Sequence, residues 1–408
     1  MQVQNICLEI EKLKNEVAQT LMELIRIPAV APENGGEGEL QRAEKLVKIL
    51  QTVGFDKIEH YDAEDERVPS KKRPNIIAYC LGENKAEKLW IVTHMDMVPP
   101  GEESLWTVTK PFEPKIANGR VYGRSSEDNL QSLVASIFAV KVLKNLGIKP
   151  KRTVALAFVA DEEQGSKYGI KHLLKLELFR KGDLVVVPDG GNEDGSLIEI
   201  AEKSVLWLKI ATTGKQTHAS TPEKGLNAHR IGLQYSLAID KMLHEKYSLK
   251  DEHFDPPQST FEPTRKDKNV DAVNIIPAED VTYFDCRILP NYDPEKVLED
   301  FQNVAKEFEK KTGARIDVTI AQKTIAPKPT DPNSKIVVML DQTLRKIRRK
   351  TPKISGIGGG TCAAYFREKN IPAVVWSTCD ETAHQPNEYA IIQNILDDAK
   401  IFATLTVS

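Results

Sequence analysis

Between Ile6 and Ile27, apolar residues recur at helical spacing, with Ile10, Leu13, Val17, Leu21 and Leu24 on one side. This predicts an opening amphipathic helix. A second is predicted from about Glu39 to Val53. Short apolar runs bounded by polar or turn residues follow at 75–80, 89–93, 153–160 and 184–188, with a helical stretch at 129–146 among them. Strands alternating with helices indicate an α/β unit.

The pattern changes after Glu202. Strands are predicted at 204–212, 278–289 and 314–320, helices at 225–245 and 294–311, and one further strand near 259–261 or 273–276. That is a βαββαβ arrangement of the split-βαβ type, which fits an inserted domain. From Asp331 the first pattern returns, with a helix to about Lys350, a Gly-rich turn at 356–360, a strand at 373–377 and a closing helix. The expected organisation is a catalytic domain made of residues 1–203 and 321–408, interrupted by an insertion at 204–320.

A chain of 408 residues with 28% charged and 40% hydrophobic positions has the balance of an ordinary globular protein of more than one structural unit. A net charge of −3 provides no general attraction to nucleic acid or an anionic membrane, so a small-molecule partner is expected. The five scattered cysteines form no CxxC pair, and the N-terminal segment is charged throughout. Both point to a cytoplasmic location without a disulfide framework or membrane anchor.

Five segments place metal-ligand chemistry at strand ends or adjoining turns. His94-Met95-Asp96 follows the strand LWIVT, a spacing that lets His94 bind a metal while Asp96 orients the ring. Gly123–Asn129 brings carboxylates to the entrance of a helix, where the plain reading is an N-cap. Asp161-Glu162-Glu163 follows TVALAFVA, and Asp189 follows a run of valines. His384 sits in AHQPNE after AVVWS. Each alone is compatible with a solvated loop or a satisfied core residue. Together, carboxylates and imidazoles without thiolate suit a pair of zinc, cobalt or manganese ions sharing one carboxylate.

The ordered set HMD, GRSSED, DEEQGS, VPDGG and AHQPNE, with GKQTHASTPEKGLNA and VNIIPAEDVTYFDCRILP, resembles a family of metallopeptidases and deacylases. That family includes succinyl-diaminopimelate desuccinylase, acetylornithine deacetylase, aminoacylase and glutamate carboxypeptidase, and the resemblance covers nearly the whole chain. It implies an α/β fold: a mixed-sheet catalytic domain with helices on both faces, plus an inserted ferredoxin-like lid and dimerisation domain. His94 and Asp189 would hold one metal, Glu163 and His384 the other, and Asp128 would bridge them. Glu162 would be the general base and Asp96 the partner of His94.

The same resemblance implies that His218 reaches an active site, commonly the dimer partner's. It also implies that Asn274 and Arg287 contact a carboxylate-bearing substrate. Gly360 and Thr361, in the turn GGGT, are candidates to offer backbone N–H groups to an anion. The implied activity is hydrolysis of an amide in an N-acyl amino acid, with a metal-dependent exopeptidase as the alternative. A catalytically silent dimeric binding protein and a two-metal phosphoesterase are the readings from other classes. One departure stands out: Gly-Arg-Ser replaces the common Gly-Arg-Gly, and Asn129-Leu130-Gln131 follows the bridging Asp128 where many members have Lys-Gly. Cys362 is expected to be a buried small residue and not a nucleophile.

Overall fold

In a computed structural model, which describes residues 2–408, the opening apolar stripe forms two helices where one was expected, α1 (Gln2–Lys12) and α2 (Lys14–Ile25). Leu13 leaves helical geometry between them, at φ −87° and ψ 5°. Ile6, Ile10, Val17, Leu21 and Leu24 are nevertheless all buried, so the stripe survives the break. Neither Gly nor Pro stands near Leu13. Both segments pack against the same two later helices, and it is this packing that sets the geometry. Helix α3 (Leu40–Val53) ends where Gly54 takes a left-handed φ of +82°, a conformation that costs glycine nothing.

The chain divides into two units, Met1–Ile200 with Thr330–Ile354 and Thr361–Ser408, and Ala201–Pro329 with Ser355–Gly360. The first is built on a mixed eight-stranded sheet. Its strands in chain order are β1 (Lys57–His60), β2 (Ile76–Cys80), β3 (Asn84–His94), β4 (Arg152–Val159), β5 (Leu184–Asn192), β6 (Leu197–Glu202), β7 (Lys353–Ile357) and β8 (Ala373–Thr378). They lie in the order β1-β2-β4-β3-β5-β8-β6-β7. The central four, β4, β3, β5 and β8, run parallel, while β2 and β6 are antiparallel to their central neighbours.

Both faces of this sheet are covered, which is why β2 and β4 read as continuous apolar runs and are buried at every position. On one face Trp90 stacks on Phe179 at 4.3 Å, and Phe179 meets Phe366 edge-on at 4.8 Å. On another strand Trp376 packs edge-on to Phe402 of a closing helix, α6 (Ile392–Val407). Among the helices before it are α4 (Ser132–Asn145) and α5 (Lys335–Arg348). Helix α4 is buried almost all round, between sheet and other helices, so it shows no amphipathic stripe. Each large aromatic or aliphatic side chain so buried contributes about 1.5–3 kcal/mol.

The second unit carries strands Thr260–Lys266, Glu279–Ile288, Ser204–Thr213 and Arg315–Thr324, antiparallel and in that spatial order. Helices Ala228–Lys246 and Pro294–Thr312 complete a βαββαβ chain. Its core joins Leu206, Leu208, Tyr235, Phe261, Phe284 and Phe301 between one sheet face and the helices. Both candidate positions for the extra strand are extended. Thr260–Lys266 enters the sheet, while Ile275–Ile276 forms a separate short ladder with Thr217–His218.

Candidate metal centre

Four parallel neighbouring strands must end on one edge of their sheet, and open α/β sheets keep their ligand sites there. His94 ends β3 and Asp189 lies in the last part of β5. Asp161, Glu162 and Glu163 follow β4, and His384 lies in the loop after β8. Asp128 joins them from a wide, irregular turn at Ser126–Gln131, in which its own φ and ψ are not helical. The helix that follows therefore begins at Ser132, three residues later than the sequence predicts, and Asp128 is not a simple N-cap.

The two oxygens of Asp128 face different histidines. Oδ1 lies 2.8 Å from Nε2 of His94, and Oδ2 lies 2.9 Å from Nε2 of His384. Asp189 Oδ1 is 3.4 Å from the same His94 nitrogen, and Glu163 Oε1 is 3.1 Å from that of His384. Ligand atoms of His94, Asp128 and Glu163, and of His94, Glu162 and Asp189, lie within 4.8 Å of one another. Two imidazoles and four carboxylates, with no thiolate among these groups, match the donor chemistry of zinc, cobalt or manganese. Cys362 belongs to neither ligand group. It is buried, its Sγ lies 3.9 Å from Glu162 Oε1, and burial followed by the Glu162 charge holds the thiol protonated.

The crowding shows in the acidities. Burial alone would depress His94, but Asp189, Asp128 and Asp96 outweigh it and raise its pKa well above the usual value. Hydrogen bonds to the carboxylates of Asp128 and Glu163 raise His384 to about 10. Burial, then Asp189, pushes Glu162 well above the ordinary carboxylate range, and burial also raises Glu163. Placing cations among these acids would relieve that repulsion, so the residues present fit a metal pair.

Several further groups hold the candidate ligands in place. Asp96 accepts the backbone N–H of Glu162 and of Glu163, each at 3.0 Å, while its carbonyl lies 3.2 Å from Nδ1 of His94. Arg42, fully buried, donates to the carbonyl of Met95 at 2.6 Å and to Oγ of Ser125 at 3.2 Å. Asn129 donates to Asp189 Oδ1 at 2.9 Å, so the unusual residue after Asp128 aims a neighbouring carboxylate. Ser125 takes a left-handed φ of +73°, a conformation that favours glycine. Gly191 is required for a different reason: a Cβ there would lie 2.0 Å from the Ser377 carbonyl oxygen, where β5 and β8 pack.

A family model described as peptidase family M20/M25/M40 matches residues 90–408. The chain belongs to the M20 family. An uncharacterized metallohydrolase of Methanocaldococcus jannaschii is 39% identical over 406 residues, covering 96% of this chain and 98% of that protein. A succinyl-diaminopimelate desuccinylase of Nitratiruptor is 27% identical over 380 residues, covering 91% and 94%. Among solved structures, an aminopeptidase of Bacillus cereus superposes with a TM-score of 0.76 at 20% identity, covering 96% and 98%. A Bacillus subtilis M20 peptidase described as dinuclear metal binding gives 0.65 at 17%, covering 97% and 98%. As an M20 metallohydrolase the chain is a hydrolytic enzyme that acts on amide bonds.

The remaining candidates of this M20 chain lie apart from the centre in sequence. His218 is exposed on the short ladder of the second unit, and Ser220 N–H donates to its Nδ1 at 3.2 Å. The Ser220 hydroxyl lies 2.7 Å from the same nitrogen, so both contacts are on the Nδ1 side of the ring. Asn274 sits beside it, its carbonyl accepting from Ala219 N–H at 2.9 Å. Arg287 is gripped by both oxygens of Asp285, at 2.7 and 2.9 Å, and donates to the Gly358 carbonyl at 3.0 Å. Gly360 belongs to the same unit, whereas Thr361 belongs to the first and accepts Ala363 N–H at 3.2 Å. No helix among the described residues is long and apolar enough to cross a membrane.

Proposed function

We propose that this M20 enzyme is a two-metal deacylase that cleaves the amide of an N-acyl amino acid, with desuccinylase-like or deacetylase-like specificity. The observation that carries the reading is Asp128, whose two oxygens are divided between two histidines. His94 and Asp189 would hold one ion, His384 and Glu163 the other, and Asp128 would serve both. Zinc suits this donor set best, with cobalt and manganese as alternatives. When bound, such a pair supplies Lewis acidity, making water acidic enough to attack and stabilising charge on the attacked carbonyl.

The chain's own groups do the rest. Glu162 is not occupied by an imidazole as Glu163 is, and it lies within reach of His94 and Asp189. It accepts a proton from the attacking water and returns it to the leaving amine. Asp96 takes the Nδ1 side of His94, which leaves Nε2 to face the metal. His218, through Nε2–H, steadies the oxyanion, Asn274 and Arg287 bind the substrate's carboxylate end, and Gly360 and Thr361 offer backbone N–H groups to an anion. The insertion at 204–320 serves as a lid and as the homodimer contact, and His218 acts in the partner's site. Leu233 and Leu237, exposed one turn apart on Ala228–Lys246, support an association surface on the second unit. The setting is the cytoplasm.

The deciding measurement is metal content per chain, taken with hydrolysis of N-succinyl, N-acetyl and dipeptide substrates on the same sample. Two zinc or cobalt ions with chelator-sensitive cleavage of the N-acyl substrates is the expected result. Turnover of dipeptides alone would favour an exopeptidase, and no metal under replete conditions would end the two-metal reading. His218→Ala is expected to cut turnover with both ions retained. Mixing that variant with Glu162→Gln should restore activity if His218 acts across the dimer, and no recovery under confirmed subunit exchange would count against it.

A further inference from the structure

Two buried glutamates tie the Asp128 turn and the His384 loop to each other. Glu127, beside Asp128, reaches into the His384 loop. Its carboxylate accepts the backbone N–H of Asp380 at 2.5 Å, of Thr382, and of Ala383 at 2.9 Å, and also the Thr382 hydroxyl at 2.9 Å. Glu388, four residues beyond His384, reaches back. It accepts the N–H of Ser125 at 3.0 Å, of Glu127 at 2.9 Å and of Asp128 at 3.1 Å, with Arg124 donating at 2.7 Å. The two residues are 5% and 1% exposed, so water does not compete for these bonds.

Charge-assisted bonds to several consecutive N–H groups fix a backbone path more tightly than one contact can. We infer that Glu127 and Glu388 form a reciprocal clamp that positions the metal ligands, and that its two arms are unequal. Glu388 fixes Asp128, which faces both histidines, and so serves both metal positions. Glu127 fixes only the loop of His384, and so serves one. Neither glutamate is a ligand, because their oxygens are taken up by N–H groups. The inference rests on the two-metal reading above and adds to it the residues that decide whether the two positions fill independently.

The test is a cobalt(II) titration of the metal-free full-length enzyme, followed by visible absorption and by heat, on wild type, Glu127→Gln and Glu388→Gln. An amide nitrogen in either carboxylate's place would confront N–H donors, while the side-chain volume is kept. Loss of such outer partners typically weakens metal binding about 10- to 100-fold. Glu127→Gln is expected to weaken one binding step by that factor and leave the other within about threefold; Glu388→Gln should weaken both. Equal effects of the two variants, or none, with two ions still bound by wild type, would overturn the clamp alone. A wild-type chain that takes up one ion or none would end the two-metal reading and the clamp with it.

Circular dichroism checks that the variants are folded. If either glutamine variant fails to fold, Thr382→Val and Arg124→Met remove one donor to Glu127 and to Glu388 respectively. The same one-step against two-step contrast is expected at smaller amplitude, and its absence overturns the inference.

Discussion

The two histidines of the centre are held by opposite means. His94 ends a central strand, its side chain is 2% exposed, and Asp96 two residues later fixes its ring. His384 lies in a loop at a left-handed φ of +64°, its side chain is 52% exposed, and its ring meets Asp128 and Glu163 of other segments. Its position comes from Glu127, a residue of another segment that accepts three backbone N–H groups from its loop. One half of the centre is therefore fixed by the sheet and the other by a side chain reaching across. Damage to loops should reach the His384 side first, and damage to the strand edge the His94 side.

The largest effect should come from what the halves share. Asp128→Ala removes the carboxylate between them, so turnover should fall more than about 10⁴-fold with loss of metal from both sides. Retention of two ions by elemental analysis would refute Asp128 as the bridge. Next, Glu162→Gln should lower kcat about 10²- to 10⁴-fold with metal content unchanged. Metal loss in that variant would make Glu162 a ligand on the His94 side.

Asp96→Asn tests mainly the sheet-held half. It should weaken metal binding on the His94 side about 10- to 100-fold and on the His384 side less, through the Glu163 N–H that Asp96 also accepts, read by two-step calorimetric titration. The smallest effect is expected from Ser125→Gly. Relief of left-handed strain is worth about 1–2 kcal/mol, against a lost hydrogen bond to charged Arg42 of about 1.5–3 kcal/mol and the extra chain entropy of glycine. A net loss of about 1 kcal/mol, seen as a melting temperature lower by a few degrees, is expected. A rise would mean that Arg42 does not join the His94 strand end to the Asp128 turn.

Sequence order alone exposed the candidate ligands near strand ends, because a polar residue that follows an apolar run stands out by contrast. His94, Glu163 and Asp189 are of this kind, and the alternation of strands and helices that carries them also gave the α/β class and the βαββαβ insertion. Glu127 and Glu388 stood inside quoted motifs without a role. Their partners lie 261 residues apart in one of these bonds, and no local period reports such a distance. Arg42 was hidden for the same reason: it is fully buried, and its carbonyl and hydroxyl partners come from two other segments. The break at Leu13 left no mark, since no breaking residue stands there.

What the sequence determined by itself was therefore local and periodic: which segments bury a face, where each run stops, and which ligand-type side chains stand at those stops. Only tertiary structure decided the pairing of the strands, which puts four parallel ends on one edge. It also decided the division of Asp128 between two histidines and the burial of the charges that hold them. The physical reason is that hydrophobic burial repeats with the backbone and is written along the chain. A buried charge, by contrast, persists only where distant segments meet to supply its hydrogen bonds.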